Sequence, residues 1–261
     1  HAMAAELTRD ASSDAEKLRA LYHYVATKYR YIGIAFGVGR YQPHAAAEIL
    51  SNQFGDCKDK HTLFEALAEA VGLKVYPALI NSGRDLDPDV PSPNQFDHLI
   101  SVVEQGEDFL WLDTTTEVAP FGLLGANLRG KLALVIPEGS PARLVKTAAD
   151  PPFLSFYGFE VEGKLSETGT LEAKVQSSIR GDAELLFRSA FRNTPQPQWN
   201  ELVQSVSFSL GFGGTVSDVS ASAPEATDTA FSFAYTYTRK DYSDWGNRRI
   251  TVPFPPLYLP V

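Results

Sequence analysis

The sequence predicts an α+β protein in two parts: a first in which one helix packs on an antiparallel sheet, and a smaller, strand-rich α+β second. Three observations carry this expectation. Two stretches repeat apolar residues at helical spacing, Leu18, Leu21, Tyr22, Val25 and Tyr29 in one and Leu63, Phe64, Leu67, Ala68 and Val71 in the other. Strand-like runs follow them, and the texture changes to alternating runs after Asp150-Pro151-Pro152, the best boundary in the chain. The expected organisation is a cloning scar and linker over 1–10, a first domain over 11–150 and a second over 151–261.

In order along the chain, Ser12-Ser13-Asp14 offers caps for the first helix. Tyr31 to Phe36 reads as a short strand, Gly37 to Gly39 and Pro43 mark a loop, and Ala45 to Leu50 reads as a short helix. Asp56 is a natural N-cap for the helix that begins at or next to Cys57. Asp59 adds an acidic group in its first turn, and Gly72 stops it. Strands are expected at Leu73 to Ile80, Phe96 to Val103 and Asp108 to Asp113. The last two form a hairpin through Gln105-Gly106-Glu107. The loop from Asn81 to Gln95 is long for a compact domain, which favours a functional role. Leu132 to Ile136 and Ala142 to Lys146 complete the first part. The second shows strands at Phe153 to Glu162, Thr170 to Ser178 and Ala230 to Thr238, with helices at Asp182 to Phe191 and Gln198 to Leu210.

Composition narrows the function. A chain of 261 residues with 44% hydrophobic content folds into a sizeable core, and a net charge of −9 argues against nucleic acid or an anionic membrane surface. No run approaches the roughly 20 apolar residues of a membrane span. One cysteine excludes an intrachain disulfide and a C-x-x-C zinc ribbon. The His-Ala-Met opening reads as a cloning scar on a piece of a larger parent chain, so the sequence carries no readable localisation.

Chemistry concentrates around Cys57. Unpaired N–H groups at a helix start favour a thiolate and can also hold an oxyanion, which are the two needs of acyl transfer. A buried structural cysteine is the plain alternative. A nucleophile also needs a base, and the base an orienting group. His98 begins one strand of the hairpin and Asp113 ends the next, so both fall at its open end. Alternation puts His98 in line with Ile100 and Val102, and Asp113 in line with Phe109 and Trp111, which points both toward the helix carrying Cys57.

Gly55-Asp56-Cys57-Lys58-Asp59-Lys60, preceded by Pro43-His44 and the Ala-Ala-Glu-Ile-Leu helix, resembles the core of bacterial transglutaminase-like domains. Phe96-Asp97-His98-Leu99-Ile100 and Trp111-Leu112-Asp113-Thr114-Thr115 resemble the later two motifs of that family, in its order. The resemblance spans residues 15 to 146. It implies a papain-like fold, with Cys57 as nucleophile, His98 as general base and then acid, and Asp113 as its orienter. It also implies thioester chemistry on a peptide or protein amide, with hydrolysis favoured over transamidation, no cofactor and no metal. An envelope-associated setting follows from the same resemblance, as does kinship of the second part with the β-rich domain that often follows this core.

Other readings stay open at this stage. The fold could serve as a non-catalytic binding or assembly module. His61, one helical turn after Cys57, is expected as a partly exposed helix residue; alternatively it joins Cys57, His98 and Asp113 in a zinc site. Gln53 is a candidate oxyanion donor or a loop cap. Arg40, Tyr41 and Trp111 are candidates for the cleft wall, and no motif gives His23 or His44 a role.

Overall fold

The computed structural model describes residues 1–33, 42–106 and 108–250. The expected loop at Gly37 to Gly39, the end of the Tyr31 to Phe36 strand, Arg40, Tyr41 and Glu107 lie outside them. The chain forms two compact units, His1–Pro152 and Phe153–Val261. No helix among the described residues is long and apolar enough to cross a membrane.

The first unit opens with α1 (Ala2–Leu7) and α2 (Asp14–Lys28). Within the stretch expected as scar and linker, Ala2–Leu7 form a helix whose Ala4 is fully buried in the same core as Leu21, Val25 and Phe64. A single small buried residue in a polar stretch leaves no helical periodicity to read. Ser13 caps α2 by accepting from the Glu16 N–H at 3.2 Å.

Next come β1 (Arg30–Tyr31), α3 (Ala46–Asn52), β2 (Phe54–Gly55) and α4 (Cys57–Glu69). β1 and β2 pair in parallel, with Tyr31 opposite Gly55. α4 lies against α2, and Leu63, Phe64, Leu67 and Ala68 join Leu18, Leu21, Tyr22 and Val25 in one apolar cluster. Lys60 is wholly buried where the two helices meet. Its ammonium donates to the carbonyls of Ala26 at 3.1 Å and Tyr29 at 2.6 Å, at the α2 C-terminus, where orphan carbonyls and the helix dipole favour a cation.

The sheet of this unit has five antiparallel strands in the order β5-β4-β3-β6-β7. These are β3 (Tyr76–Ile80), β4 (His98–Gln105), β5 (Asp108–Leu112), β6 (Leu132–Val135) and β7 (Arg143–Lys146). β4 and β5 form the expected hairpin, paired from Gln105↔Asp108 to Ser101↔Leu112. Its two faces pack differently. Ile100, Val102 and Trp111 meet Leu124 and Leu128, whereas Val103 and Leu112 belong to the cluster that contains α4.

The second unit contains a four-stranded antiparallel sheet in the order β10-β11-β9-β8. Its elements are β8 (Phe156–Leu165), β9 (Leu171–Arg180), α5 (Asp182–Asn193), α6 (Trp199–Ser209), β10 (Thr215–Ala221) and β11 (Phe231–Arg239), with a small ribbon of β12 (Ser243–Asp244) and β13 (Arg249–Ile250). Val175, Ile179, Phe231, Phe233 and Tyr235 form one core with Phe191 and Val203 of the helices. Arg188 and Glu184 are both fully buried. Arg188 Nε donates to Glu184 Oε1 at 2.8 Å, and its guanidinium also donates to the carbonyls of Pro224, Ala226 and Thr229.

Candidate active site

Local sequence fixes the position of the thiol. Asp56 is the N-cap of α4, and its Oδ1 accepts from the N–H of Lys58 at 2.9 Å and of Asp59 at 3.2 Å. Asp59 reaches back to the Asp56 N–H at 3.3 Å, completing a capping box. The box demands the glycine before it, because a Cβ on Gly55 would lie 2.5 Å from Asp59 Cβ. Asp59 also accepts from the backbone N–H of His44 at 2.8 Å and lies 3.0 Å from its Nδ1, which raises the pKa of that exposed imidazole through the hydrogen bond and the carboxylate charge. Cys57, half-buried, is the first residue of the helix.

The cap has a consequence for oxyanion binding. The N–H groups of Lys58 and Asp59 are taken by Asp56 Oδ1, and that of Lys60 by the Asp56 carbonyl. The expectation that several first-turn N–H groups face a ligand is therefore corrected. Among the described residues, the Cys57 N–H is the one in this turn with no acceptor. Gln53 does not supply a second. It is exposed, closes α3 in a left-handed conformation with φ 59°, and is absent from the cleft wall.

His98 and Asp113 meet at the open end of the hairpin. His98 Nε2 lies 3.1 Å from Asp113 Oδ2, and His98 and Cys57 line the same cleft. Asp113 is buried, and its other oxygen accepts from Thr115 N at 2.9 Å and Thr115 Oγ1 at 2.7 Å. The backbone of Asp113 is tied down too, since its carbonyl accepts from the buried Tyr22 hydroxyl at 3.1 Å. Burial works against charge on His98, but the hydrogen bond to Asp113 and the interactions with Asp113 and Cys57 outweigh it, and its pKa is pushed up to about 10. Burial likewise opposes charge on Asp113, but His98 and Thr115 outweigh it and hold the carboxyl below the usual range.

The expectation that the Ile100, Val102 and Trp111 face of the hairpin meets the helix carrying Cys57 is corrected. α4 covers the Ser101, Val103 and Leu112 face of the hairpin, while Ile100, Val102 and Trp111 face away from it. His98 is held in β4 by its pairing with Ile80 of β3, and Asp113 follows the last β4–β5 pair, Ser101↔Leu112, so the two meet at the open end of the hairpin. Trp111 is accordingly buried in the core on that far face and does not line the cleft.

His61 is also corrected. It is 4% exposed rather than partly exposed, with Nδ1 2.8 Å from Ser101 Oγ. Its Nε2 makes no hydrogen bond, and Glu65 Oε2 is 3.7 Å away. Burial drives its pKa down to about 4, so it is neutral at physiological pH. Among the described residues, no group of three or more His, Cys, Asp or Glu side chains could hold a metal ion, so the zinc grouping is not assembled.

A cleft of ≈1480 Å³ opens in front of Cys57 and His98. Its wall includes much of the Asn81 to Gln95 loop, which is firmly tied. Asn81 Oδ1 accepts from Gly83 N at 3.0 Å and Arg84 N at 2.8 Å, and Asp97 Oδ1 accepts from Ser82 N at 2.7 Å. Tyr31, brought beside Cys57 by the β1–β2 pair, lines the cleft, and no sequence signal marks it. Burial, then the negative charge of Cys57, Asp56 and Asp113, keep its phenol protonated.

Residues 1–90 match the family model of the transglutaminase-like superfamily. That segment contains Cys57 and all of α4 and ends before His98, and it supports a papain-like core for the first unit. Members of the superfamily are usually cysteine enzymes, which suggests cysteine-dependent acyl transfer or hydrolysis, although some members are inactive. Neither the curated proteins nor the solved structures give a match.

Proposed function

We propose that the first unit is a cysteine-dependent acyl-transfer enzyme acting on a peptide or protein amide, with water favoured over an amine as acceptor. The observation that supports it most is the His98–Asp113 pair, 3.1 Å apart, lining one cleft with Cys57 at the start of a capped helix. In this reading Cys57 Sγ attacks the carbonyl carbon, and the Cys57 N–H receives the developing oxyanion. His98, protonated at neutral pH, gives its proton to the leaving nitrogen as the C–N bond breaks, releasing an amine or ammonia and leaving a thioester. It then takes a proton from water as water attacks, so that a carboxylate is released and the thiol is restored. Asp113 holds the imidazole and its charge. Net charge and the absence of a basic cluster support a protein or peptide substrate rather than nucleic acid.

Mass spectrometry of the intact protein tests this reading. Incubation with glutamine- and asparagine-containing peptides and activated peptide esters is expected to add an acyl group at Cys57 that water discharges and Cys57→Ala lacks. Faster discharge by added amines, with amide products, would reassign the acceptor. No acylation by any donor would leave the fold as a binding module.

A further inference from the structure

Beyond the reacting residues, the cleft has a patterned floor. Leu99 lies opposite Leu79, Leu79 opposite Leu134, and Leu134 opposite Leu144. Cross-strand partners share a face, so these four leucines form one row across β4, β3, β6 and β7. All four line the cleft. The row starts at the residue next to His98 and becomes more open outward, from half-buried Leu99, Leu79 and Leu134 to Leu144, which is 41% exposed. It lies on the same side of the sheet as α4, which covers only the β4–β5 end through Ser101, Val103 and Leu112. Opposite the row, the loop contributes Leu86, Pro88, Val90 and Pro91 to the cleft wall.

With strands about 4.8 Å apart the row spans ~14 Å, and an extended chain lying across it sets alternate side chains about 7 Å apart on the leucines. We propose that the leucine row is the side-chain subsite of the acyl donor, selecting a polypeptide with a large aliphatic residue two to four positions from the amide presented to Cys57. A lone carboxamide needs little of a ≈1480 Å³ cleft, and the continuity of the apolar floor with His98 directs the rest of the substrate along it. The proposal rests on the enzymatic reading for its orientation, but its test does not require chemistry.

The test is fluorescence anisotropy with Cys57→Ala protein and two labelled glutamine peptides that differ only in carrying leucine or serine three positions from the glutamine. The leucine peptide is expected to bind roughly tenfold to a hundredfold more tightly. The exposed-site variant Leu144→Asp, added to Cys57→Ala, is expected to erase most of that preference while its circular dichroism is unchanged. Equal binding of the two peptides, or a preference untouched by both Leu144→Asp and Leu134→Asn, would overturn the subsite. An inert thiol in the unsubstituted protein would defeat the enzymatic reading and leave the anisotropy result standing on its own.

Discussion

His98 Nε2 lies 3.1 Å from Asp113 Oδ2, and the imidazole so held lines the same cleft as the half-buried thiol of Cys57. The charge arrangement follows from burial. Away from solvent, Asp113 and Cys57 together hold a proton on His98 to a pKa of about 10. Asp113→Asn keeps the shape and removes the charge. Its expected effect is a loss of acylation rate of roughly 10³-fold or more, with a fall in the His98 pKa. Single-turnover kinetics and NMR titration of the imidazole check both.

The same pair predicts how stability responds to pH. His98 has a folded-state pKa above its ordinary value, so its contribution is full below about pH 6.5 and is lost as pH rises through about 10. His98→Ala should therefore flatten the alkaline decline in denaturant midpoint.

His61 acts in the opposite sense. Its folded-state pKa is depressed to about 4, so it must stay neutral to remain buried, and its contribution present above about pH 6.5 is lost as pH falls through 4. Urea unfolding between those values should show a loss of up to about 1.4 kcal/mol per pH unit from this group, a slope His61→Gln removes.

Gly55 is set by its neighbour. A methyl group there would meet Asp59 Cβ at 2.5 Å, so Gly55→Ala must displace the capping box and with it the start of α4. The expected cost is about 1–3 kcal/mol in thermal or urea unfolding, with slower alkylation of Cys57.

In the second unit, Arg188→Met leaves buried Glu184 with only Arg180 and the Gly181 N–H among the described residues and strips the guanidinium bonds to the carbonyls of Pro224, Ala226 and Thr229. Breaking a buried pair in this way typically costs about 3–5 kcal/mol. Loss of hydrogen-exchange protection across residues 223–229 would locate it.

What the sequence revealed divides along local and non-local physics. The Asp56 cap, the start of α4 at Cys57 and the β4–β5 hairpin depend on residues close in the chain, and they were legible. Tyr31 and the leucine row depend on strand partners far apart in sequence, so neither spacing nor alternation marks them. Burial of His61 under β4 is likewise tertiary. β10 carries no strand signal, because Thr215–Ala221 is rich in polar residues and its pairing is interrupted between Ser217 and Ser220, around Asp218 with φ 54°.

The most direct measurement is the rate of Cys57 alkylation by iodoacetamide against pH, in the unsubstituted protein and in His98→Ala. An activated pair predicts that near neutral pH the unsubstituted protein reacts at least about tenfold faster than the variant, with the two converging as pH rises through about 10, where His98 loses its proton. A thiol that is inert while folded, or that alkylates at equal rates in both proteins throughout the range, would contradict the assignment of Cys57 and His98 as a catalytic pair.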